Sequence, residues 1–226
     1  MNPALRASAA HVFVESLGAP DLSDDDDHHL RRVLRIRPSD LITVSDGAGS
    51  WVTARLLADG LSVESEPNVA AAPRPAIVLS AIPKGDRLEW MVQKLTEIGA
   101  TAIGFIDCAR SVVHWDAERS QRQGERLRRV ARDAAMQSRR LWMPELLGVV
   151  PIAMGAANIR SAMADPAGRD VIDHDIDTVL VGPEGGFVPE ELAQAARRVS
   201  LSGNVLRVET AALAAAIMLT LRHELA

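Results

Sequence analysis

VLVGPEGGF at residues 179–187 and VLRVETA at residues 205–211 are the two most informative stretches of this sequence. The first stretch predicts an apolar strand that ends at a Gly-Pro-Glu-Gly-Gly loop. The second predicts a short apolar strand that ends in Arg, Glu and Thr and then becomes a helix. In open α/β sheets ligands bind beyond the carboxyl ends of the strands, so we expect the two stretches to form two walls of one ligand site.

The loop at residues 182–186 has a composition that suits a ligand other than a phosphate. Glycine lets the backbone approach a ligand or adopt positive φ, and proline fixes the direction in which the chain enters the loop. The loop lacks the Lys-Ser/Thr ending of a P-loop and the G-x-G-x-x-G spacing, and Glu184 would repel an anion. A cationic or zwitterionic ligand fits better. A tight turn that merely starts a helix explains the same residues, and both interpretations stand at this point.

The composition is that of a globular protein with one large domain or two small ones. The chain has 226 residues, of which 47% are hydrophobic and 24% charged. Residues 1–10 have no apolar core of a signal peptide, and the longest apolar run, residues 211–219, is too short to span a bilayer. The net charge of −5, taken over the whole chain, argues against nucleic-acid binding. We therefore expect a cytoplasmic protein without a membrane segment.

The cysteine and the histidines predict neither a disulfide nor a metal site. Cys108 is the only cysteine, and its apolar surroundings in the sequence favour a buried structural thiol in a reducing compartment. The histidines show no metal-ligand spacing; they are His11, His28, His29, His114, His174 and His223. No metal is expected.

The proline-rich and alanine-rich residues 66–75 (EPNVAAAPRP) predict an extended linker between two domains. Before it, short β-like runs at residues 12–14, 41–44, 51–57 and 61–64 and an Asp46-Gly47 turn predict a small β-rich, barrel-like domain. The acidic residues 24–27 are expected to form a solvated loop that caps a short helix at residues 29–35.

After the linker the pattern alternates between strands and helices. Strands are predicted at residues 76–82, 102–107, 171–172, 178–181 and 204–208, and helices at residues 117–138, 189–199 and 210–225. A further helix is expected to begin at Asp86, with Glu89 completing a capping box, and to end at Gly99. This alternation predicts a mainly parallel sheet with helices on both faces.

The long helix carries a basic surface. Eight arginines lie between residues 119 and 140, opposed only by Glu125 and Asp133, while Leu127, Ala131 and Ala134 follow a buried stripe. The planar fork of arginine suits phosphate, so this surface is a candidate RNA-binding site on an acidic protein. A solvated face held in local ion pairs is the alternative.

Several motifs, in order along nearly the whole chain, resemble one family. They are HLRRVLR at residues 29–35, DG at 46–47, KGDR at 84–87, QKLTEIG at 93–99, AAMQSR at 134–139 followed by Pro144, and the two stretches quoted first. Together they resemble the ribosomal RNA small-subunit methyltransferase E (RsmE) family, whose members methylate N3 of a uridine in 16S rRNA with S-adenosylmethionine. The resemblance implies a role in rRNA processing and ribosome biogenesis.

The resemblance implies an α/β fold of the SPOUT α/β-knot class, with a trefoil-knotted, mainly parallel sheet and an N-terminal PUA-like β-barrel domain. Residues 1–69 would form the PUA-like RNA-binding domain and residues 76–226 the SPOUT methyltransferase domain. It also implies a homodimer that acts on 16S rRNA, within the small ribosomal subunit. The final helix suits packing between subunits or within one chain.

Matched position by position, the resemblance implies a cofactor pocket; an RNA surface and a catalytic pair are inferred from the chemistry of the side chains. The pocket would hold S-adenosylmethionine, whose positive sulfonium suits the acidic loop; its residues would be Ile172, Val181, Gly182, Pro183, Glu184, Gly185, Gly186, Leu201, Ser202, Val205 and Leu206. RNA would contact Lys84, Arg87, Lys94, Arg126, Arg129, Gln137, Arg139 and Arg140.

Glu209 is the candidate base that removes the uracil N3 proton, and Arg207 the candidate stabiliser of the resulting anion. A structural ion pair between them is the alternative. Three positions depart from the family pattern: glycine, threonine and glutamate are usual where Ser202, Val208 and Met136 stand. A non-catalytic RNA-binding or ribosome-assembly protein, and a SPOUT methyltransferase of another RNA, are the competing functions.

Overall fold

The computed structural model describes residues 2–221 and divides the chain into two compact units. Residues up to 73 form the first unit with residues 132–143, and residues 74–131 form the second with residues from 144 onward. The predicted continuation of the last helix to residue 225, and His223, lie outside the described residues. No helix among residues 2–221 is long and apolar enough to cross a membrane.

The first unit is built on a five-stranded sheet. Its strands are β1 (His11–Phe13), β2 (Leu41–Ser45), β3 (Ser50–Leu57), β4 (Gly60–Val63) and β5 (Asn68–Val69). β1 pairs in parallel with β2, while β2, β3 and β4 form an antiparallel meander and β5 adds to β3. The core lies between this sheet and Leu30, which is fully buried with Ile42, Val44, Ala54 and Leu56. The predicted β-rich N-terminal region is therefore confirmed.

The helical part of the first unit differs from the prediction. It comprises α1 (Pro3–Ala7), α2 (Asp24–His28) and a π-helical turn (His29–Val33). The acidic residues are the first turn of α2 rather than a loop, because the Ser23 hydroxyl accepts the Asp26 N–H and caps the helix. Asp26 is buried, not solvated, and its carboxylate receives two hydrogen bonds from Arg132 at 2.9 and 2.6 Å.

The second unit is a six-stranded parallel sheet in the order β11-β9-β10-β6-β7-β8. Its strands are β6 (Ile77–Ala81), β7 (Ala102–Ile106), β8 (Glu145–Val150), β9 (Ser161–Ala164), β10 (Thr178–Val181) and β11 (Arg198–Val199). Its helices are α3 (Arg87–Ile98), α5 (Ile152–Ala156), α6 (Pro189–Leu192) and α7 (Val208–Leu221), and α4 (Ala117–Gln137) begins here and ends in residues assigned to the first unit. The predicted mainly parallel sheet is confirmed.

Several element predictions in this unit are wrong. Residues 171–172 and 204–207 are not strands, and α6 ends at Leu192 because residues 198–199 form β11 instead. Asp86 precedes α3 but makes no capping hydrogen bond with its side chain, and Glu89 pairs with Arg126 rather than completing a capping box. Gly99 does end α3, at φ 112°, where its N–H bonds to the carbonyls of Leu95 and Thr96.

Cys108 follows β7 and is a buried thiol, as predicted. Burial, with a smaller contribution from the charge of Glu191, raises the pKa of this thiol to about 12. At neutral pH the side chain is therefore an uncharged and unreactive part of the core.

Candidate active site

A cavity lies beyond the carboxyl ends of β9 and β10, where a parallel sheet presents its ligand sites. It encloses about 600 Å³, including space open to solvent. The residues that line it are Ala164, Asp165, Pro166, Val181, Gly182, Pro183, Glu184, Gly186, Ser200, Leu201, Ser202, Asn204, Val205, Leu206, Val208 and Ala211. They come from three segments: the end of β9, the loop after β10, and the chain that leads into α7.

The loop after β10, residues 182–188 (the β10 loop), depends on its glycines. Gly186 adopts φ 70° and donates its N–H to the Pro183 carbonyl at 2.8 Å, which closes a tight turn. A Cβ on Gly182 would lie 3.1 Å from the ring of Phe187, which is buried beneath the loop. The glycines thus let the loop turn sharply over an aromatic side chain and keep its backbone against the cavity.

The opposite wall is the coil that precedes α7. The Ser200 hydroxyl donates to the Ser202 carbonyl at 3.1 Å, and the Ser202 hydroxyl accepts the Asn204 N–H at 3.1 Å, so this segment is held by its own side chains. Val205 is 87% exposed although it lines the cavity. A large apolar side chain left this open at a cavity mouth is suited to cover an apolar part of a ligand.

Nine of the predicted cofactor-binding residues line this cavity, and Ile172 and Gly185 do not. Ile172 is packed in the core, because residues 171–172 are not the strand that reaches the site. That strand is β9, and the sequence does not predict its last residue, Ala164, or the following Asp165 and Pro166 as part of the site. Only the Asp-Pro pair that ends β9 signals a loop in the sequence, since Ser-Ala-Met-Ala has little β-propensity.

Glu209 lies in the first turn of α7 and is 7% exposed. Its Oε1 is 3.4 Å from Nε of Arg87, and its Oε2 has no hydrogen-bond partner among the described residues. A buried carboxylate oxygen without a partner is unfavourable in a folded protein and marks a site where another group can bind.

Arg207 is exposed and precedes α7 directly. Within residues 2–221 no ion pair joins it to Glu209, whose partner is Arg87. The alternative of a structural Arg207–Glu209 pair is therefore wrong. Of the departures from the family pattern, Ser202 and Val208 line the cavity, whereas Met136 packs against the core of the first unit.

The residues predicted to contact RNA fall into three groups. Lys84, Arg87 and Arg129 are exposed, as is Gln137. Lys94 and Arg126 are held in ion pairs with Glu97 and Glu89.

Arg139 and Arg140 contact backbone carbonyls of the first unit: Arg139 donates to the Ser8 carbonyl, and Arg140 to the Trp142 carbonyl at 3.1 Å. Burial lowers the pKa of Arg140 to about 10. Arg132, between these residues and Arg129, is committed to Asp26. Part of the basic surface of α4 is therefore engaged in local ion pairs.

One group within residues 2–221 brings three possible metal-ligand atoms together, namely Asp173, His174 and Asp175. All are exposed, and Asp173 is paired with Arg197. Partial loss of solvation alone would raise the pKa of Asp173, but the hydrogen bond from the Asp175 N–H and the charge of Arg197 outweigh it, so this pKa lies below the ordinary value.

Comparison with known proteins agrees with this geometry. A family model described as an RNA methyltransferase domain matches residues 70–220, and one described as an RNA methyltransferase PUA domain matches residues 22–66. The ribosomal RNA small subunit methyltransferase E of Mycobacterium bovis is 33% identical over 88% of this chain and 87% of its own length. The corresponding protein of Bacillus subtilis is 26% identical over 94% of this chain and 93% of its own length.

Two solved structures share the fold. A probable rRNA-methyltransferase from Porphyromonas gingivalis is 30% identical, with a TM-score of 0.77 over 95% of this chain and 99% of that chain. A ribosomal RNA small subunit methyltransferase E from Neisseria gonorrhoeae, bound to S-adenosyl methionine, is 28% identical, with a TM-score of 0.76 over 94% of this chain and 97% of that chain. Sequence, domain content and fold agree, and the chain belongs to the ribosomal RNA small subunit methyltransferase E family.

Proposed function

We propose that this protein transfers the methyl group of S-adenosylmethionine to N3 of a uridine in the 16S rRNA of the small ribosomal subunit. The observation that carries the proposal is the cavity beyond β9 and β10 together with the buried carboxylate of Glu209, which begins the helix leading away from that cavity. Family membership supports methyl transfer to rRNA, and the relative from Neisseria gonorrhoeae was solved with the cofactor.

The cavity fits S-adenosylmethionine in size and chemistry. A space of about 600 Å³ is within the range of small-molecule sites. Its lining combines turns, whose backbone groups can hydrogen-bond a ligand, with apolar side chains. The β10 loop and residues 200–206 would hold the adenosine through backbone groups and Val205, and Glu184 would face the positive end of the ligand. When bound, the cofactor supplies an electrophilic methyl group on a sulfonium.

The proton on uracil N3 must leave before or during methyl transfer, and Glu209 is the group suited to take it. Its Oε2 has no hydrogen-bond partner within residues 2–221, so it can accept a proton, while the Nε of Arg87 lies 3.4 Å from Oε1. The anion that forms on the ring spreads over two carbonyl oxygens, which the exposed guanidinium of Arg207 would stabilise. The partly exposed Arg87 could contribute to the same stabilisation.

The RNA would bind along exposed cations of the second unit. Lys84 and Arg129 are exposed and would contact phosphates of the RNA. Arg139 and Arg140 donate to backbone carbonyls and would mainly stabilise the first unit. The proposed domains are residues 1–69, a PUA-like RNA-binding domain, and residues 76–226, a SPOUT methyltransferase domain whose chain forms a trefoil knot around the cofactor.

A homodimer is also proposed. Ile217 and Leu221 of α7 and Trp90 of α3 are exposed by 43, 44 and 45%, and these two helices pack on each other. Exposed apolar residues on adjacent helices suit contact with a second copy.

The test is mass spectrometry of nucleosides from 16S rRNA of a strain that lacks the gene. The proposal predicts loss of one N3-methyluridine, restored by the wild-type gene. Retention of every N3-methyluridine would reject the substrate, and a missing methyl group in another RNA would favour a SPOUT enzyme of different specificity. A purified wild-type protein that binds no S-adenosylmethionine in a calorimetric titration would favour the non-catalytic RNA-binding function.

A further inference from the structure

The β10 loop is connected to a second loop that does not line the cavity. Residues 107–111 (the β7 loop) follow β7 and turn back on themselves, since the Ser111 N–H donates to the Cys108 carbonyl at 2.9 Å and the Cys108 N–H to the Ser111 hydroxyl at 3.0 Å. Two side chains, Arg110 and Glu191, join these loops.

Glu191 is 7% exposed, and both of its carboxylate oxygens accept backbone hydrogen bonds. Oε1 accepts the Ala109 N–H at 2.7 Å, and Oε2 accepts the Val188 N–H at 2.9 Å. A single buried carboxylate therefore bridges the turn of the β7 loop and the end of the β10 loop. Burying a carboxylate is costly unless such bonds satisfy it, so the bridge is a specific feature of the fold.

Arg110 makes the second connection, to the middle of the β10 loop. Its Nη1 donates to the Gly185 carbonyl at 2.7 Å. A Cβ on Gly185 would lie 3.3 Å from Cβ and Cδ of Arg110, so the arginine stem packs closely on the glycine. Gly185 does not line the cavity, but its neighbours Glu184 and Gly186 do.

We propose that Arg110 and Glu191 are positioning residues, which hold the β10 loop from behind in the conformation that binds the cofactor. Neither touches the cavity. Their effect on the ligand passes through the backbone of residues 184–188, whose position fixes the cavity wall. This inference rests on the proposed function, in which that wall binds S-adenosylmethionine.

The experiment compares Arg110→Ala, Arg110→Lys and Glu191→Gln in the full chain by calorimetric titration with S-adenosylmethionine. Loss of one charge-assisted hydrogen bond should weaken binding about 3- to 10-fold in Arg110→Ala, and Arg110→Lys, which can still donate to the Gly185 carbonyl, should recover most of it. Glu191→Gln should weaken binding by about 10-fold or more, because one backbone N–H would face an amide NH₂ group. The KM for the cofactor should rise while kcat at saturation changes little.

The matched control is Arg160→Ala. Arg160 pairs with Asp177 at 2.7 Å, directly before β10 and at the opposite end of that strand. Its loss should lower stability without changing cofactor affinity.

Hydrogen exchange of the ligand-free protein separates this inference from the proposed function. Arg110→Ala should accelerate amide exchange at residues 182–188, whether or not the wild type binds the cofactor. Exchange and affinity equal to wild type in Arg110→Ala would overturn the inference. Because Arg110 is exposed, Arg110→Ala should fold, and it tests the inference even if Glu191→Gln does not fold. A wild type that does not bind the cofactor would refute the proposed function and, with it, the role in cofactor binding.

Discussion

Replacing Glu209 by glutamine tests the chemistry at the buried carboxylate with little change in shape. Glutamine can keep its carbonyl oxygen toward Arg87 and place its amide nitrogen where Oε2 lies, but it cannot accept the N3 proton. Removal of a general base lowers the rate by about 100- to 10,000-fold. This corresponds to about 2.7–5.4 kcal/mol of lost transition-state stabilisation.

The structure also predicts what the same substitution leaves unchanged. Glu209 does not line the cavity, so affinity for S-adenosylmethionine should stay within about twofold, a change of about 0.4 kcal/mol. Its ion pair with Arg87 is 3.4 Å long, and the Arg87 side chain is 43% exposed, so its loss should cost only about 0.2–1 kcal/mol. Neutralising a buried oxygen that no described residue hydrogen-bonds offsets part of that cost.

The assay is transfer of labelled methyl groups to unmodified small-subunit RNA at saturating cofactor, beside a calorimetric titration and a urea unfolding curve. Glu190→Gln, an exposed glutamate on α6, is the control and should behave as wild type. Turnover of Glu209→Gln within about threefold of wild type would show that the carboxylate is not the base, since even a weak general base contributes about 100-fold.

Three further predictions concern stability and RNA binding. Burial alone would raise the pKa of Asp26, but the hydrogen bonds from Arg132 and Ser23 lower it below the ordinary value. The Asp26–Arg132 pair therefore stabilises the fold above the unfolded pKa of about 3.9, and this stabilisation is lost as pH falls through the folded pKa. Asp26→Asn should therefore cost about 2–3 kcal/mol in urea unfolding at pH 7, less than a fully buried pair because Arg132 is 33% exposed, and progressively less as pH is lowered below the unfolded pKa; a cost that does not fall with pH would contradict this. Gly49→Ala should cost about 3 kcal/mol, because Gly49 adopts φ 100° and its Cβ would overlap the Trp142 ring; an unchanged unfolding midpoint would refute that packing. Arg129→Ala should reduce the slope of log affinity for RNA against log salt by about 0.7–1, and an unchanged slope would exclude a phosphate contact there.

The sequence predicts the parts of the fold whose signals are local. β6, β7 and β10 are apolar runs that end at glycine, proline or aspartate, and α3 ends at a glycine with positive φ. β9 could not be found in this way, since Ser-Ala-Met-Ala forms a strand only because β10 and β11 pair with it on both sides. Conversely, Val205 and Leu206 favour a strand by composition but pair with no strand of the described residues and are coil.

The candidate site also contains residues that the sequence predicts and residues that it does not. The glycines and the proline of the β10 loop can be predicted from the sequence, because these residue types are needed for particular backbone conformations. Glu191, in contrast, has the sequence pattern of an ordinary acidic residue in the first turn of a helix. Its Oε1 accepts the N–H of Ala109, a residue that is distant in the chain. The same holds for Asp26: an acidic run predicts solvation, whereas in the fold Asp26 is buried and accepts hydrogen bonds from Arg132, which is distant in the chain.

Binding of S-adenosylmethionine to the cavity beyond β9 and β10 is tested most directly by titrating the wild type and Gly182→Ala with the cofactor. The wild type should bind saturably and the variant about tenfold more weakly, because the added Cβ would lie 3.1 Å from the Phe187 ring and displace the loop. Gly18→Ala, in open surroundings, should bind as wild type does. A wild type that binds no cofactor, or a Gly182→Ala protein that binds it unchanged, would contradict the assignment.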